Sequence, residues 1–364
     1  MRFSEEFRDR ALVHEIASRI GKHEGISAAI MEVCGTHTMS AARFGLRSLL
    51  PAGVTLVSGP GCPVCVTDQR DIDSFLALGS LPSVILTSFG DMLRVPGTRT
   101  SLERLRAAGA DVRVVYSPMD AVDIARGNPA SRVVFFGVGF ETTMPATALA
   151  VKVAADDGIG NFSMFCCHKT IPAALRALLS AGEVKVSGLL LPGHVTTIIG
   201  ARSYDFIPTE FGVPCAVTGF EPVDMMLGIE SILRQIEERA PRVDNVYSRA
   251  VRSEPNAQAA ELLSEVFVTA DASWRGIGVI AGSGVEIAPE YAHVDAGKRF
   301  ADAIASVEPP APTPCRCGEV LRGVMRPVDC PLFGTACTPS EPVGPCMVSS
   351  EGACAAAFRY GGFS

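Results

Sequence analysis

Cysteine is concentrated at one end of this chain. Six of the 12 cysteines lie in the last 50 residues, namely Cys315, Cys317, Cys330, Cys337, Cys346 and Cys354. This segment is rich in proline and glycine and has few apolar residues with which to close a core, so another kind of link must hold it together. Disulfides, zinc and an iron–sulfur cluster held by thiolates are the three links that the chemistry allows.

The spacing of these cysteines favours a cluster over zinc. A [4Fe–4S] cube takes one cysteine per iron, and a set of four is available in Cys315, Cys330, Cys337 and Cys354. Structural zinc more often uses Cys-x-x-Cys knuckles, and none occurs in this segment. Cys317 and Cys346 are left over, and as a dithiol beside a cluster they would exchange electrons with it.

Four loops upstream combine glycine or proline with a Cys, His or Glu side chain. They are Glu32-Val-Cys34-Gly-Thr-His37, Gly59-Pro-Gly-Cys62-Pro-Val-Cys65, Gly139-Phe-Glu141-Thr-Thr143 and Leu191-Pro-Gly-His194. Each follows an apolar run that predicts a strand, and open α/β sheets bind ligands at the carboxyl ends of their strands. We therefore expect the four loops to meet in one crevice between two domains.

The chemistry of these loops leaves alternatives open. Cys62 and Cys65 suit either a redox-active dithiol or two ligands to a soft metal. The Gly-Thr-His that follows Cys34 favours a functional thiol there, and His194 fits a ligand or a proton-transfer group. Glu141 fits a proton donor, but an acid that stabilises a helix N-terminus explains it equally well.

Composition excludes several classes of protein. The formal net charge of -7 gives no basic surface for nucleic acid, and neither a Walker motif nor Gly-x-Gly-x-x-Gly occurs. The charged N-terminus lacks the apolar core of a signal peptide, and no apolar run reaches the roughly 18 residues that span a bilayer. We expect a cytoplasmic protein without membrane contact, in a reducing compartment where clustered cysteines usually serve metal or redox chemistry.

Alternation of short apolar runs with helical periods predicts the fold. Strands are expected at 27–33, Val54–Ser58, 83–87, 112–116, Arg132–Gly137, Phe162–Cys166, 188–191, Cys215–Thr218 and 276–281. Their nearly continuous apolar character is typical of parallel strands that are covered on both faces. The prediction is an α/β protein with two open parallel-sheet, Rossmann-like domains at 1–130 and 131–250. A small C-terminal iron–sulfur domain follows at 251–364, and a proline-rich linker at 308–314 leads into its cysteine segment.

Taken together, the motifs strongly resemble those of the HypD family of hydrogenase maturation factors. The matching segments are Cys34-Gly-Thr-His37, Gly59-Pro-Gly-Cys-Pro-Val-Cys65, Gly139-Phe-Glu-Thr-Thr143, Pro192-Gly-His194 and the cysteine tail. In that tail 14, 6 and 16 residues separate the four candidate cluster ligands. The resemblance spans almost the whole chain.

This resemblance implies a function. Proteins of the family work with the small partner HypC as a scaffold on which the Fe(CN)2CO group of [NiFe] hydrogenase is assembled. Cyanide comes from HypE, and the finished group passes to the hydrogenase large-subunit precursor. The resemblance makes Cys34 a ligand of that iron, with His194 close to it, and makes Cys62 and Cys65 the thiol pair. Cys317 and Cys346 become the dithiol between that pair and a [4Fe–4S] cluster.

Two other functions fit part of the pattern. A cluster-dependent thiol–disulfide oxidoreductase would use Cys62 and Cys65 on a protein substrate and would hold no additional iron. Such an enzyme has no need of a third, distant thiol, so a functional Cys34 would favour the scaffold over the oxidoreductase. A protein with merely structural zinc is the other alternative.

Overall fold

The computed structural model describes residues 5–23, 25–183, 185–310 and 313–361. Its strands are β1 Ala28–Glu32, β2 Val54–Ser58, β3 Val84–Ser88, β4 Asp111–Val114, β5 Arg132–Gly137, β6 Phe162–Cys166, β7 Gly188–Pro192, β8 Cys215–Thr218, β9 Val243–Asn245, β10 Phe267–Trp274 and β11 Gly278–Ile287. Its α-helices are α1 Arg10–Ile20, α2 Gly35–Arg43, α3 Pro63–Val66, α4 Gln69–Leu78, α5 Leu102–Ala107, α6 Pro118–Gly127, α7 Met144–Asp156, α8 Ile171–Ala181, α9 Gly193–Ile199, α10 Pro222–Glu238, α11 Ala257–Val266, α12 Ala296–Arg299, α13 Ala301–Ala305, α14 Cys317–Leu321 and α15 Ala353–Tyr360.

Two parallel sheets form the frame, which confirms the predicted α/β class. One has five strands in the order β2-β1-β7-β8-β9, and the other has four in the order β4-β3-β5-β6. Every pairing within these two sheets is parallel. β3 and β7 are buried along their whole length, as expected for strands covered by helices on both faces.

Side-chain caps mark several helix starts. Ser117 and Asp120 form a reciprocal capping box at α6, and Asp68 accepts the N–H of Arg70 at the start of α4. A proline also stands in the first turn of α3, α6, α7, α8 and α10, where its missing N–H costs no helical hydrogen bond.

The two sheets do not follow the predicted boundaries at 1–130 and 131–250. Strands β3 and β4 lie before residue 130 and β5 and β6 after it, yet all four belong to one sheet. The chain starts the five-stranded sheet with β1 and β2, builds the whole four-stranded sheet, and returns to the first sheet at β7. Local alternation of strands and helices does not reveal which strands pair, so this interruption was missed.

The region after β9 also differs from the prediction. Strands β10 and β11 form an antiparallel hairpin, so the segment 276–281, expected as a parallel strand, contributes a turn and the start of β11. Short β9 and the long β10 were not predicted. The hairpin joins the main body through Trp274, which is fully buried and bridges to Thr67 just after α3.

One buried cluster connects the parts of the molecule. It contains apolar residues of both parallel sheets together with Trp274, Cys317 and Cys346. The cysteine segment is therefore packed into the main core, and its helix α15 lies against α2. Among the described residues, no helix is long and apolar enough to cross a membrane.

We expect truncation of Phe136 to destabilise the four-stranded sheet. Phe136 is 1% exposed and stacks on Phe75 with ring centroids 4.1 Å apart. Phe136→Ala should lower the free energy of unfolding by about 3–5 kcal/mol because it leaves a cavity in a tightly packed core. Urea unfolding measures the loss, and Tyr116→Ala, at a side chain that is 93% exposed, is the control. Equal unfolding midpoints for both variants would contradict this packing.

Candidate thiol and metal site

The carboxyl edge of the five-stranded sheet carries Cys34, Cys62 and His194. These residues follow β1, β2 and β7, which are adjacent parallel strands and therefore end at the same edge. Phe220 follows β8, the next strand along the same edge. Glu141 follows β5 and thus comes from the other sheet. Three of the four predicted loops leave one sheet together, and the fourth faces them from its neighbour.

The loops of Cys34 and Cys62 are packed backbone against backbone. A Cβ on Gly61 would lie 1.7 Å from the carbonyl oxygen of Val33 and 2.5 Å from the Cα of Cys34. The N–H of Gly35 donates to the carbonyl of Gly61 at 3.1 Å. Only glycine allows this approach at position 61, because any side chain would collide with main-chain atoms.

Cys34 is a buried thiol at the start of α2. It is 9% exposed, and burial, together with the nearby Glu351 carboxylate, raises its pKa to about 12. The hydroxyl of Thr36 donates to Glu351 at 2.6 Å and keeps that carboxylate beside the loop. Cys34 is therefore a neutral thiol at physiological pH, and a metal would have to displace its proton in order to bind.

Cys62 and Cys65 are joined by a disulfide. Both are buried, at 2% and 0% exposed, and the N–H of Cys65 donates to the Cys62 sulfur at 3.1 Å. The Ser349 hydroxyl lies 3.4 Å from the same sulfur. Two cysteines bonded to each other offer no thiolate to iron, so the pair in this state is an oxidised dithiol rather than a ligand set.

Two imidazoles enclose the ring of Phe220. His37 stacks on it with centroids 4.8 Å apart, and His194 lies 4.0 Å away. His37 is fully buried, its Nε2 lies 3.2 Å from the Gly219 carbonyl, and burial lowers its pKa to about 4. Burial also lowers the pKa of His194, the outer ring of the stack. Both rings are thus neutral at physiological pH, and both contact Phe220.

Glu141 has one carboxylate oxygen in use and one without a partner. Its Oε1 accepts the N–H of Ile171, the first residue of α8, at 3.0 Å. Its Oε2 is buried and has no hydrogen bond. Burial raises the pKa of Glu141 to about 7. The Tyr204 hydroxyl is also buried and without a hydrogen-bond partner. Burial raises the pKa of Tyr204, and the nearby Glu141 and Cys34 raise it further. Glu141 therefore stabilises a helix start and retains an oxygen able to carry a proton.

All six C-terminal cysteines line one cavity. They are free thiols, and Cys317 accepts hydrogen bonds from Cys315 and Cys346, which lower its pKa. The same contacts raise the pKa of Cys315 and Cys346. Gly344 forms part of the wall, where a Cβ would lie 2.2 Å from the Cys315 sulfur. Cysteines up to 39 positions apart in sequence are thus brought together, as the cluster hypothesis requires.

The donor set fits a cluster in kind and number, and the cavity that it surrounds is small. Thiolates are the ligands of [4Fe–4S] clusters, and six surround this space. Its volume is about 20 Å³, which is room for about one water molecule. Across the described residues, no group of three or more His, Cys, Asp or Glu side chains has the arrangement of metal ligands.

The cysteine segment touches the disulfide through α3. Helix α14, which begins at Cys317, packs against α3, and so does the 3₁₀ turn Pro345–Met347 that contains Cys346. Cys65 lies within α3. Cys317, Cys346, Cys62 and Cys65 all belong to the same buried cluster. The two predicted dithiols are therefore neighbours in the core.

Sequence reasoning missed several residues of this site. Phe220 follows β8 in Thr218-Gly-Phe-Glu, which is not one of the four motif loops, and Tyr204 lies in a 3₁₀ turn with no motif. Arg275 lies in the turn between β10 and β11. Its buried side chain donates to the Thr67 carbonyl, and its positive charge lowers the pKa of Cys317. Ser349 and Glu351 stand inside the cysteine tail, where their distant partners leave no local signal.

Comparison with known proteins places this arrangement in a family. A family model named HypD, with the description "Hydrogenase formation hypA family", matches residues 9–361. The chain is 44% identical over 374 residues to hydrogenase maturation factor HypD of Rhodobacter capsulatus, covering 100% of this chain and 99% of that protein. The factor of the same name from Escherichia coli (strain K12) is 44% identical over 370 residues, covering 99% and 98%. That of Azotobacter vinelandii is 43% identical over 371 residues, covering 99% and 97%.

Glu141 should make folding stability depend on pH. Its folded pKa of about 7 exceeds the 4.5 of an ordinary glutamate, so the stability that it contributes is full below about pH 4.5 and is lost as pH rises through 7. Relative to Glu141→Gln, the wild-type free energy of unfolding should fall by about 3 kcal/mol between pH 5 and 8. Urea unfolding at several pH values measures it, with the exposed Glu290→Gln as control. A constant difference between wild type and Glu141→Gln would show that the carboxyl titrates normally.

Proposed function

The chain belongs to the HypD family of hydrogenase maturation factors, and we propose that it is the scaffold on which the Fe(CN)2CO group of [NiFe] hydrogenase is assembled. In this role it acts with HypC, accepts cyanide from HypE and passes the finished group to the hydrogenase large-subunit precursor. The observation that carries the proposal is the position of the buried Cys34 thiol, directly beside the Cys62–Cys65 disulfide at one sheet edge. A scaffold that attaches ligands to iron needs both a soft iron ligand and a source of electrons.

Cys34 is the ligand that this chain gives to the iron. Low-spin iron with cyanide and carbonyl ligands is soft, so thiolates suit it better than carboxylates. Iron binding releases the Cys34 proton, which the buried site otherwise retains. HypC contributes a second thiolate and closes the crevice around residues 34–37 and 59–65. The neutral imidazole of His194 stands at the rim, where it orients or protects the ligand thiolate.

The C-terminal cysteines supply electrons in this proposal. Cys315, Cys330, Cys337 and Cys354 would hold a [4Fe–4S] cluster, which when bound exchanges single electrons. Cys317 and Cys346 form the relay dithiol, since the elements that carry them pack against α3 and thus against Cys65. Glu141, with its unpartnered oxygen and a pKa near neutrality, supplies or accepts a proton in the crevice.

A cluster-dependent thiol–disulfide oxidoreductase is the second candidate. The observation in its favour is the buried Cys62–Cys65 disulfide next to a second dithiol, which is sufficient for passing electrons to a protein substrate. It gives no role to Cys34. Bands in the cyanide and carbonyl stretching region of the infrared spectrum therefore distinguish the two functions, since only the scaffold binds such an iron.

The four cluster ligands and the two relay thiols should respond differently to substitution. Replacing Cys315, Cys330, Cys337 or Cys354 by Ala should remove the brown chromophore and loosen residues 315–361, because each iron of the cube needs its thiolate. Cys317→Ala and Cys346→Ala should keep the chromophore and lose electron transfer. Anaerobic purification with iron and sulfide analysis measures both. Equal loss of colour in all six variants would contradict this division.

Substitutions should also distinguish the iron ligand Cys34 from the redox pair Cys62 and Cys65. Cys34→Ala, purified with HypC, should lose the infrared bands and still form the Cys62–Cys65 disulfide. Cys65→Ala should block that disulfide, and the iron group should fail to mature although Cys34 remains. His194→Ala should weaken the bands and leave the disulfide intact. Full bands in Cys34→Ala would place the iron on Cys62 and Cys65 instead.

A further inference from the structure

We propose that the two sulfurs of the Cys62–Cys65 disulfide have different roles, and that Ser349 is the positioning residue that separates them. Cys65 is the sulfur attacked by the reducing dithiol, and Cys62 is the sulfur that leaves as a thiolate. This inference deepens the redox role of the pair and rests on the function proposed above.

The two sulfurs have unequal surroundings. Cys62 Sγ is within hydrogen-bond distance of the Cys65 N–H at 3.1 Å and of the Ser349 hydroxyl at 3.4 Å. A disulfide sulfur carries no proton, so the hydroxyl is the donor. Over the described part of the chain, no hydrogen bond ends on the Cys65 sulfur. Donors strengthen when their acceptor becomes charged, so they favour thiolate at Cys62.

The Ser349 hydroxyl has one proton and two acceptors. Besides Cys62 it approaches Oδ2 of Asp91 at 3.5 Å. This Asp91 oxygen already has two other hydrogen-bond donors, because it accepts the Ser350 N–H at 3.1 Å and the Ser350 hydroxyl at 2.7 Å. When the disulfide opens, the new charge on Cys62 therefore attracts the Ser349 proton at little cost to Asp91. Ser349 is 1% exposed, so water does not replace it.

The surroundings of the pair give the exchange a direction. Cys65 lies in α3, against which both elements of the C-terminal dithiol pack. Cys62 caps the start of α3 and follows Gly61, which is in contact with the main chain of Cys34. Attack at Cys65 thus releases a thiolate beside the Cys34 loop.

The exchange balances without any further reactant. One thiolate of the dithiol Cys317/Cys346 attacks Cys65 Sγ, a mixed disulfide forms, the Cys62–Cys65 bond breaks, and its electron pair stays on Cys62. The second thiol of the dithiol then attacks the mixed disulfide and releases Cys65. Two electrons pass from the dithiol, which becomes a disulfide, to Cys62 and Cys65. The proton of the second thiol passes to Cys65, and Cys62 is left as the thiolate. A hydrogen bond to the leaving sulfur stabilises the thiolate as it forms, and this is the contribution of Ser349.

The reduction potential of the pair tests the role of Ser349. Full-length protein is equilibrated anaerobically in dithiothreitol redox buffers, free thiols are capped with a maleimide, and the peptide with Cys62 and Cys65 is measured by mass spectrometry. Ser349→Ala should make reduction about tenfold less favourable, or about 30 mV more negative for this two-electron couple. Ser350→Ala is the matched control, because Ser350 also binds Asp91 but does not reach Cys62. Equal potentials in wild type and Ser349→Ala overturn the role.

Trapping tests which sulfur is attacked. Under mild oxidation, Cys62→Ser should form a disulfide from Cys65 to Cys317 or Cys346, which peptide mapping identifies. Cys65→Ser should form none from Cys62. A cross-link from Cys62, or none in either variant, overturns the assignment. The infrared bands of Cys34→Ala test the scaffold separately, so either proposal can fail while the other stands.

Discussion

The close approach of two main-chain segments at the carboxyl edge of the five-stranded sheet is the constraint on which the site depends. Gly61 lies so near the carbonyl of Val33 that a single added carbon would collide with it. This contact places the loop after β2 directly against the loop after β1, and with it the disulfide against Cys34. Parallel pairing makes the arrangement possible, because it sends both loops out at the same edge.

Burial determines the chemical state of the groups gathered there. It raises the pKa of Cys34 and Glu141 and lowers that of His37, so each of these groups is disfavoured in its charged form. The Glu351 carboxylate, which Thr36 holds beside the Cys34 loop, adds to this effect at the thiol. Glu141 Oε2, the Tyr204 hydroxyl and Nδ1 of His37 are buried without a hydrogen-bond partner, so each can hold a proton or a ligand.

The cysteine segment joins the site by packing rather than by sequence proximity. Helix α15 lies on α2, and Glu351 contacts Gly35. Ser349 reaches Cys62 while Ser350 is held by Asp91 after β3. The segment that gathers six thiols thus also supplies polar groups to the disulfide and to the Cys34 loop. These few contacts link the cysteine segment to the Cys34 loop and to the disulfide.

The sequence by itself determined the local features. Apolar runs located β1 to β8, because this pattern comes from neighbours along the chain. Motif spacing identified the Cys62–Cys65 pair and the cysteine tail. Strand order, the return of the chain to the first sheet at β7, and the hairpin β10–β11 came only with the tertiary structure. The same holds for Phe220 between two histidines and for Ser349 at Cys62, since these contacts join residues far apart in sequence and depend on strand pairing that no local pattern records.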